Sequence, residues 1–188
     1  MLKAEHITKS YGEKTVLEDC TLRLAQGERV LLRGENGSGK TTLLRILAGL
    51  DAPDAGWLSR SVPVENIAFS LQEEAILHIS TEELSQYLIQ SGTIEPNALR
   101  AHFRGFSVDD LIQKPLSDLS PGERKKLYLA MALARKGNVL ILDEPTNHLD
   151  RDSVAYLRTC LERDRRAMLV CSHDPALDLP WTRIYTVT

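Results

Sequence analysis

A glycine-rich segment near the N-terminus contains residue types that hold a phosphate group. Residues 34–41 have the sequence Gly-Glu-Asn-Gly-Ser-Gly-Lys-Thr and follow an apolar run at 30–32. Glycines let the backbone curl so that successive N–H groups converge on an anion, and a following helix points its positive end at it. Lys40 can reach the β- and γ-phosphates of a nucleotide, and the Thr41 hydroxyl can bind Mg²⁺. The predicted nucleotide-binding residues here are Gly34, Glu35, Asn36, Gly37, Ser38, Gly39, Lys40, Thr41 and Thr42.

Two acids follow a second apolar run further along the chain. Residues 139–142 are Val-Leu-Ile-Leu, and Asp143 and Glu144 come directly after them. Ligands of α/β proteins bind outside the carboxyl ends of the strands, so a buried strand here would deliver both carboxylates to a site. Asp143 is suited to hold Mg²⁺ through water, and Glu144 to polarise an attacking water as a general base.

Between these two elements lies the segment Leu-Ser-Pro-Gly-Glu at 119–123. It predicts the start of a helix, because Ser120 can cap it, Pro121 fits its first position and Glu123 can close a capping box. Apolar residues continue the helix to Ala134, and a glycine at 137 is placed to end it. A capped helix N-terminus also offers N–H groups to a phosphate, so both roles are compatible. The basic run at 124–126 is expected to form a solvated helix face.

Along the chain the order is the glycine-rich segment, residues 119–123 and then the acid pair. This arrangement resembles the ATP-binding cassette (ABC) ATPases over nearly the whole chain, and residues 119–123 are similar to the signature sequence of that family. The resemblance implies binding of ATP and Mg²⁺, with two ABC domains packed head to tail around two ATP molecules. Ser120 and Gly122 of one domain would contact the γ-phosphate bound by the other. The family usually has Gly where Pro121 stands and Gln where Glu123 stands, but the Ser120 hydroxyl and the Gly122 N–H remain.

The same resemblance assigns four further residues. Tyr11 is similar to the aromatic residue that stacks on adenine, and Gln72 to the glutamine between the core and helical subdomains. Asp150 is similar to the inter-domain aspartate, and His173 to the switch histidine at the γ-phosphate. The implied catalytic residues are therefore Glu144, His173 and Gln72, and the implied metal-binding residues are Thr41, Gln72 and Asp143.

Apolar patterning predicts the α/β class. Continuous apolar runs at 139–142, 168–171 and 184–187 suit strands that are buried on both faces, and alternation over 20–24 suits a half-buried strand. We expect one domain over 1–188, in which a P-loop core of the ABC type contains a mixed β sheet and antiparallel strands near the N-terminus. A helical subdomain over about 73–135, with helices near 81–91 and 95–104, would be inserted into this core.

Composition restricts the binding partners and the cellular compartment that we expect. The net charge of −3 provides no general basic field for nucleic acid. Three cysteines without metal-ligand spacing suit a reducing cytosol, with Cys20 and Cys171 buried in strands. The sequence lacks an apolar run of about 18 residues, so we expect no membrane span. These features predict a cytoplasmic protein, peripheral at the inner face of the cell membrane.

Two roles are compatible with the motifs. We favour the nucleotide-binding subunit of a transporter, which requires an integral membrane partner subunit. The alternative is a soluble ATPase that acts on ribosomes, because residues 145–150 and 123–126 resemble the translation-associated ABC-F branch. Proteins of that branch usually carry two cassettes joined by a helical linker. A P-loop kinase or GTPase does not explain the signature and the acid pair together.

Overall fold

The computed structural model describes residues 1–70 and 80–187. The strands are β1 (Leu2–Tyr11), β2 (Lys14–Leu24), β3 (Arg29–Arg33), β4 (Ala55–Arg60), β5 (Ile67–Ser70), β6 (Val139–Asp143), β7 (Ala167–Cys171) and β8 (Arg183–Thr186). The α-helices are α1 (Lys40–Ala48), α2 (Thr81–Gln90), α3 (Pro96–Gly105), α4 (Pro121–Ala134) and α5 (Arg151–Arg163). The two helices expected near 81–91 and 95–104 are confirmed to within one residue at each end. In the described part of the chain, no helix has the length and apolar character needed to cross a membrane.

A five-stranded parallel sheet forms the centre of the molecule, with the strand order β5-β6-β7-β3-β8. All its neighbouring strands are parallel, so their carboxyl ends meet at one edge. Every residue of β6 and β7 is buried, as their continuous apolar sequences predict. Alternate residues of β6 enter different cores: Leu140 and Leu142 pack with α4 and α5, whereas Val139 and Ile141 pack with α1 and the N-terminal strands.

A second sheet is antiparallel and has the order β2-β1-β4. Its inward residues, such as Ile7 and Leu22, share the second core with α1. Helix α1 therefore lies between the two sheets, and seven of its nine residues are buried. The predicted α/β class with antiparallel strands near the N-terminus is confirmed, and the strands divide into one purely parallel and one purely antiparallel sheet.

Helix α4 differs in two respects from its sequence-based description. Lys125 is buried rather than solvated, and its Nζ lies 3.4 Å from the Asp143 carbonyl oxygen, because α4 is enclosed on nearly all sides. The helix ends at Ala134, before the glycine at 137. The carbonyl groups of Ala132 and Leu133 accept hydrogen bonds from the Arg166 guanidinium at 3.3 Å, so a distant side chain satisfies the helix end.

Helices α3 and α5 meet through one glycine. A Cβ added to Gly105 would lie 1.9 Å from Cζ of Tyr156, so only glycine admits the tyrosine ring at this distance. The ring packs edge-on to Phe106, with the ring centroids 4.9 Å apart, and the Tyr156 hydroxyl lies 3.0 Å from Nδ1 of His102. This contact joins α3, which lies between β5 and β6 in the chain, to α5, which follows β6.

We predict that Gly105→Ala destabilises the protein by about 2 kcal/mol through overpacking against Tyr156. The sign is diagnostic, because Gly→Ala at an open helical position stabilises by about 1 kcal/mol. Urea denaturation measures the change. In a Tyr156→Ala background the same glycine substitution should no longer destabilise, and an equal cost in both backgrounds would contradict the contact.

Candidate functional site

The glycine-rich segment forms a loop that encloses the Lys40 side chain. Lys40 Nζ donates hydrogen bonds to the carbonyl oxygens of Gly34 at 2.8 Å and Glu35 at 2.7 Å. Gly37 and Gly39 have φ values of 85° and 88°, which favour glycine. Gly39 caps α1 without a side chain, so the helix N-terminus faces the space inside the loop. The result is a concave surface in which backbone N–H dipoles and the Lys40 ammonium give a positive potential that suits a chain of phosphates.

Thr41 and Asp143 are in direct contact. Thr41 Oγ1 donates to Asp143 Oδ2 at 2.6 Å, although 102 positions separate the two residues. Asp143 is 1% exposed and comes from the end of β6. A hydroxyl and a carboxylate oxygen are the ligands that Mg²⁺ prefers, together with waters and substrate phosphates. The pair therefore fits the predicted metal site, whereas Gln72 lies outside the described residues.

Glu144 and His173 lie at the carboxyl ends of neighbouring strands. Glu144 Oε1 is 3.7 Å from His173 Nε2 and 3.7 Å from the Cys171 sulfur. The Glu144 backbone has a φ of 41°, and its N–H donates to the Cys171 carbonyl oxygen at 2.8 Å. The buried Cys171 thus holds the residue in a left-handed conformation that directs its carboxylate towards His173. The geometry suits a general base with a neighbouring imidazole.

These groups open onto one cleft of about 690 Å³. It is lined by Tyr11, Lys14, Val16, Asn36, Gly37, Gly39, Lys40, Thr41, Thr42, Asp143, Glu144, Asn147 and His173. Most of the predicted residues are thus brought together. Gly34 and Glu35 instead contact Lys40 through their carbonyl groups, and the Ser38 hydroxyl is buried within the loop.

Lys14, Val16 and Asn147 also line the cleft, although no motif in the sequence indicated them. Asn147 lies three positions after Glu144, and its N–H donates to the Glu144 carbonyl oxygen at 3.2 Å. Its position directly after the acid pair was a local signal that could have suggested it. Lys14 and Val16 carried no such signal, because they reach the cleft only through the pairing of β1 with β2.

Ser120, Gly122 and Asp150 do not line the cleft and instead form a second polar surface. Ser120 caps α4: its hydroxyl accepts the Glu123 N–H at 3.2 Å, and Glu123 accepts the Ser120 N–H at 2.8 Å, which confirms the predicted capping box. The exposed hydroxyl keeps its own proton and can donate it to an anion. A Cβ on Gly122 would lie 2.6 Å from the His148 carbonyl oxygen, so this position requires glycine.

Asp150 connects the second surface to α5. Its carboxylate accepts the Ser153 N–H at 2.8 Å as a helix cap and forms an ion pair with Lys126. The Lys126 ammonium and the Ser153 N–H hold the pKa of Asp150 well below its usual range. The aspartate is therefore ionised and fixed next to the N-terminus of α4.

Solved structures share this architecture. A dimeric structure of MJ0796, described as a bacterial ABC transporter cassette, aligns with a TM-score of 0.83 at 23% identity and covers 100% of this chain and 94% of that one. The RNase-L Inhibitor aligns with a TM-score of 0.81 at 24% identity, covering 99% of this chain and 36% of that one. At these identities the similarity shows the fold.

Curated relatives are closer in sequence. The chain is 34% identical to the ATP-binding protein Uup of Caulobacter vibrioides, covering 93% of this chain and 29% of the relative. It is 35% identical to the energy-dependent translational throttle protein EttA of Haemophilus influenzae, covering 93% and 32%. It is 34% identical to the ribosome protection protein VmlR of Bacillus subtilis, covering 92% and 31%. The chain thus spans about a third of these relatives' length.

The family model for the ABC transporter matches residues 17–147, from β2 past the acid pair. The matched range contains the phosphate loop, the capped α4 and the strand that ends in Asp143, which are the elements on which the site is built. The chain belongs to the ABC transporter family, as an ABC-type ATP-binding domain.

Proposed function

We propose that this domain binds ATP with Mg²⁺ in the cleft and hydrolyses it to ADP and phosphate. The observation that carries the proposal is the 2.6 Å contact between Thr41 and Asp143 beside the Lys40 loop, because it joins a phosphate-binding surface to a pair of metal ligands. The loop N–H groups and Lys40 would hold the phosphates. Thr41 and Asp143 would hold Mg²⁺, which neutralises charge on the phosphate oxygens when it is bound.

Glu144 would accept a proton from the attacking water. It lines the cleft, and its backbone N–H is bonded to the Cys171 carbonyl oxygen. His173, 3.7 Å from the Glu144 carboxylate and half exposed, would contact the transferred phosphate. Tyr11, a residue that is 49% exposed and lines the same cleft, would stack its ring on the base. Gln72 is proposed to complete the site by the family resemblance alone.

A second ABC domain would complete the site. Ser120 and Gly122 lie on a surface outside the cleft of their own chain, and the α4 N-terminus there has donors suited to a phosphate. In a head-to-tail pair this surface would contact the γ-phosphate in the partner's cleft, with Asp150 beside it. Binding of ATP would then favour the closed pair, and hydrolysis would reopen it.

Glu144→Gln tests this cycle. The substitution removes the proton acceptor but keeps the shape of the side chain, so ATP should still bind and pairs should accumulate with turnover nearly abolished. Gel filtration with light scattering measures the association, and phosphate release measures turnover. Lys40→Ala is the control that should lose nucleotide binding, and a Glu144→Gln domain that remains monomeric at saturating ATP would contradict the sandwich.

The chain provides two matched serines with which to test the proposed contact between Ser120 and the γ-phosphate in the partner domain. Ser80 and Ser120 are both capping-box serines, with Glu83 and Glu123 three residues later. Either Ser→Ala change should cost about 1 kcal/mol of stability, measured by denaturation. In the Glu144→Gln background, only Ser120→Ala should also weaken ATP-dependent pairing. Equal effects of the two changes on pairing would reduce Ser120 to a helix cap.

We further propose that the ATPase acts on the translation machinery. Two of the relatives above, at 34–35% identity, have names that refer to translation or the ribosome. They support the alternative role over the transporter subunit that the sequence motifs led us to favour. The transporter subunit, with an integral membrane partner, remains the second candidate because the matching family model is that of the ABC transporter.

Co-sedimentation distinguishes the two roles. The protein expressed from its native gene with Glu144→Gln should pellet with ribosomes through a sucrose cushion when ATP is present. Lys40→Ala expressed at the same level is the control and should remain in the supernatant. Recovery with a membrane fraction and an integral membrane subunit would contradict the ribosomal role and support the transporter.

A further inference from the structure

The Tyr11 ring is attached to the segment that follows α1. Its hydroxyl donates to Asp51 Oδ2 at 2.9 Å, and the same oxygen accepts a hydrogen bond from Arg45 Nε at 3.0 Å. Arg45 belongs to the last turn of α1, and its hydrogen bond is the main cause of the lowered pKa of Asp51. A carboxylate anchored to one helix therefore fixes the far end of a ring that projects from β1.

A second contact fixes the strand that carries the ring. Asp54 Oδ2 accepts the Ser10 N–H at 2.7 Å, and Asp54 Oδ1 pairs with Lys9 Nζ at 2.9 Å. The same ammonium lies 5.6 Å from the centroid of the Tyr11 ring. One face of the ring thus has a cation near it, while about half of the side chain stays exposed on the cleft.

The helix that begins at the phosphate loop ends close to the Asp51–Tyr11 hydrogen bond. Helix α1 starts at Lys40 and ends at Ala48, and Asp51 lies three positions after that end. The ring would otherwise swing about its side-chain torsions at the end of a strand. Fixing it to α1 sets the distance between the phosphate-binding end of the cleft and an aromatic face.

We propose that Asp51, held by Arg45, is a positioning residue that sets the Tyr11 ring as the platform for the nucleotide base. The inference rests on the proposed function, because it needs ATP in the cleft. Asp51 contacts the ring through its hydroxyl and lies outside the residues that line the cleft. Removal of the Asp51 side chain should therefore weaken binding of the base and leave binding of the phosphates unchanged.

The experiment compares ATP with inorganic triphosphate, which has no base. Equilibrium binding to the full chain, with Mg²⁺, gives Kd for both ligands. Asp51→Ala should raise Kd for ATP about fivefold, the effect of one hydrogen bond, and leave Kd for triphosphate within about twofold. Asp51→Asn, which keeps an acceptor for the hydroxyl, should restore most of the ATP affinity. Asp110→Ala, an exposed aspartate in the helical segment, should change neither constant.

A double-mutant cycle tests the contact itself. Tyr11→Phe keeps the ring but removes the hydroxyl, so it should weaken ATP binding to a similar extent. Combined with Asp51→Ala it should add little, because both changes break the same bond. Independent, multiplying losses would overturn the proposal, as would an Asp51→Ala effect that is equal for ATP and triphosphate. If Asp51→Ala fails to fold, as judged by circular dichroism, Tyr11→Phe still carries the test, because it breaks the same bond and should weaken binding of ATP but not of triphosphate.

Failure of the proposed function would give a different result. A wild-type chain that binds neither ATP nor triphosphate would overturn the nucleotide site, and the positioning role with it. A wild-type chain that binds both ligands equally well would overturn the base platform alone.

Discussion

The close approach of the phosphate loop to the strands on either side of it is the constraint on which the site depends. A Cβ on Gly39 would lie 2.6 Å from the Val16 carbonyl oxygen and from Cδ2 of Leu17, both on β2. A Cβ on Gly34 would lie 2.6 Å from the Val187 carbonyl oxygen, just beyond β8. The loop therefore fits between the antiparallel and parallel sheets only because Gly34 and Gly39 have no side chain. Because α1 begins directly after it, the same fit places this helix between the sheets.

The parallel sheet then determines which side chains meet. Strand β7 lies between β3 and β6, so the phosphate loop, the His173 segment and the acid pair leave the sheet at one edge. The Thr41–Asp143 and Glu144–His173 contacts each join residues from two of the segments that leave the sheet at this edge. The two acids in these contacts are firmly held, because β6 and β7 are wholly buried and their ends cannot shift without disturbing the core.

Local patterns in the sequence were enough to predict part of this arrangement. The phosphate loop, the buried strand before Asp143 and the capping box at Ser120 each depend on residues close together in the chain. The Asp51–Tyr11 bond could not be predicted this way, because 40 positions separate the partners and only folding brings β1 to the end of α1. The burial of Lys125 was missed for the same reason: the basic residues at 124–126 indicate a solvated face unless the elements around α4 are known. The roles of the individual site residues stay predictions.

Helix α4 contacts both the end of β6 at the cleft and the second polar surface through its lysines. Lys125 contacts the carbonyl group of Asp143 from inside the core, and Lys126 pairs with Asp150 on the surface beside Ser120. The Gly122 backbone also packs against the His148 carbonyl group, in the segment that follows the acid pair. Displacing the start of α4 would therefore break these contacts or move the end of β6 with it. Since Asp143 and Glu144 lie at that end, the surface that we propose for contact with a second domain and the acid pair in the cleft are parts of one packed assembly.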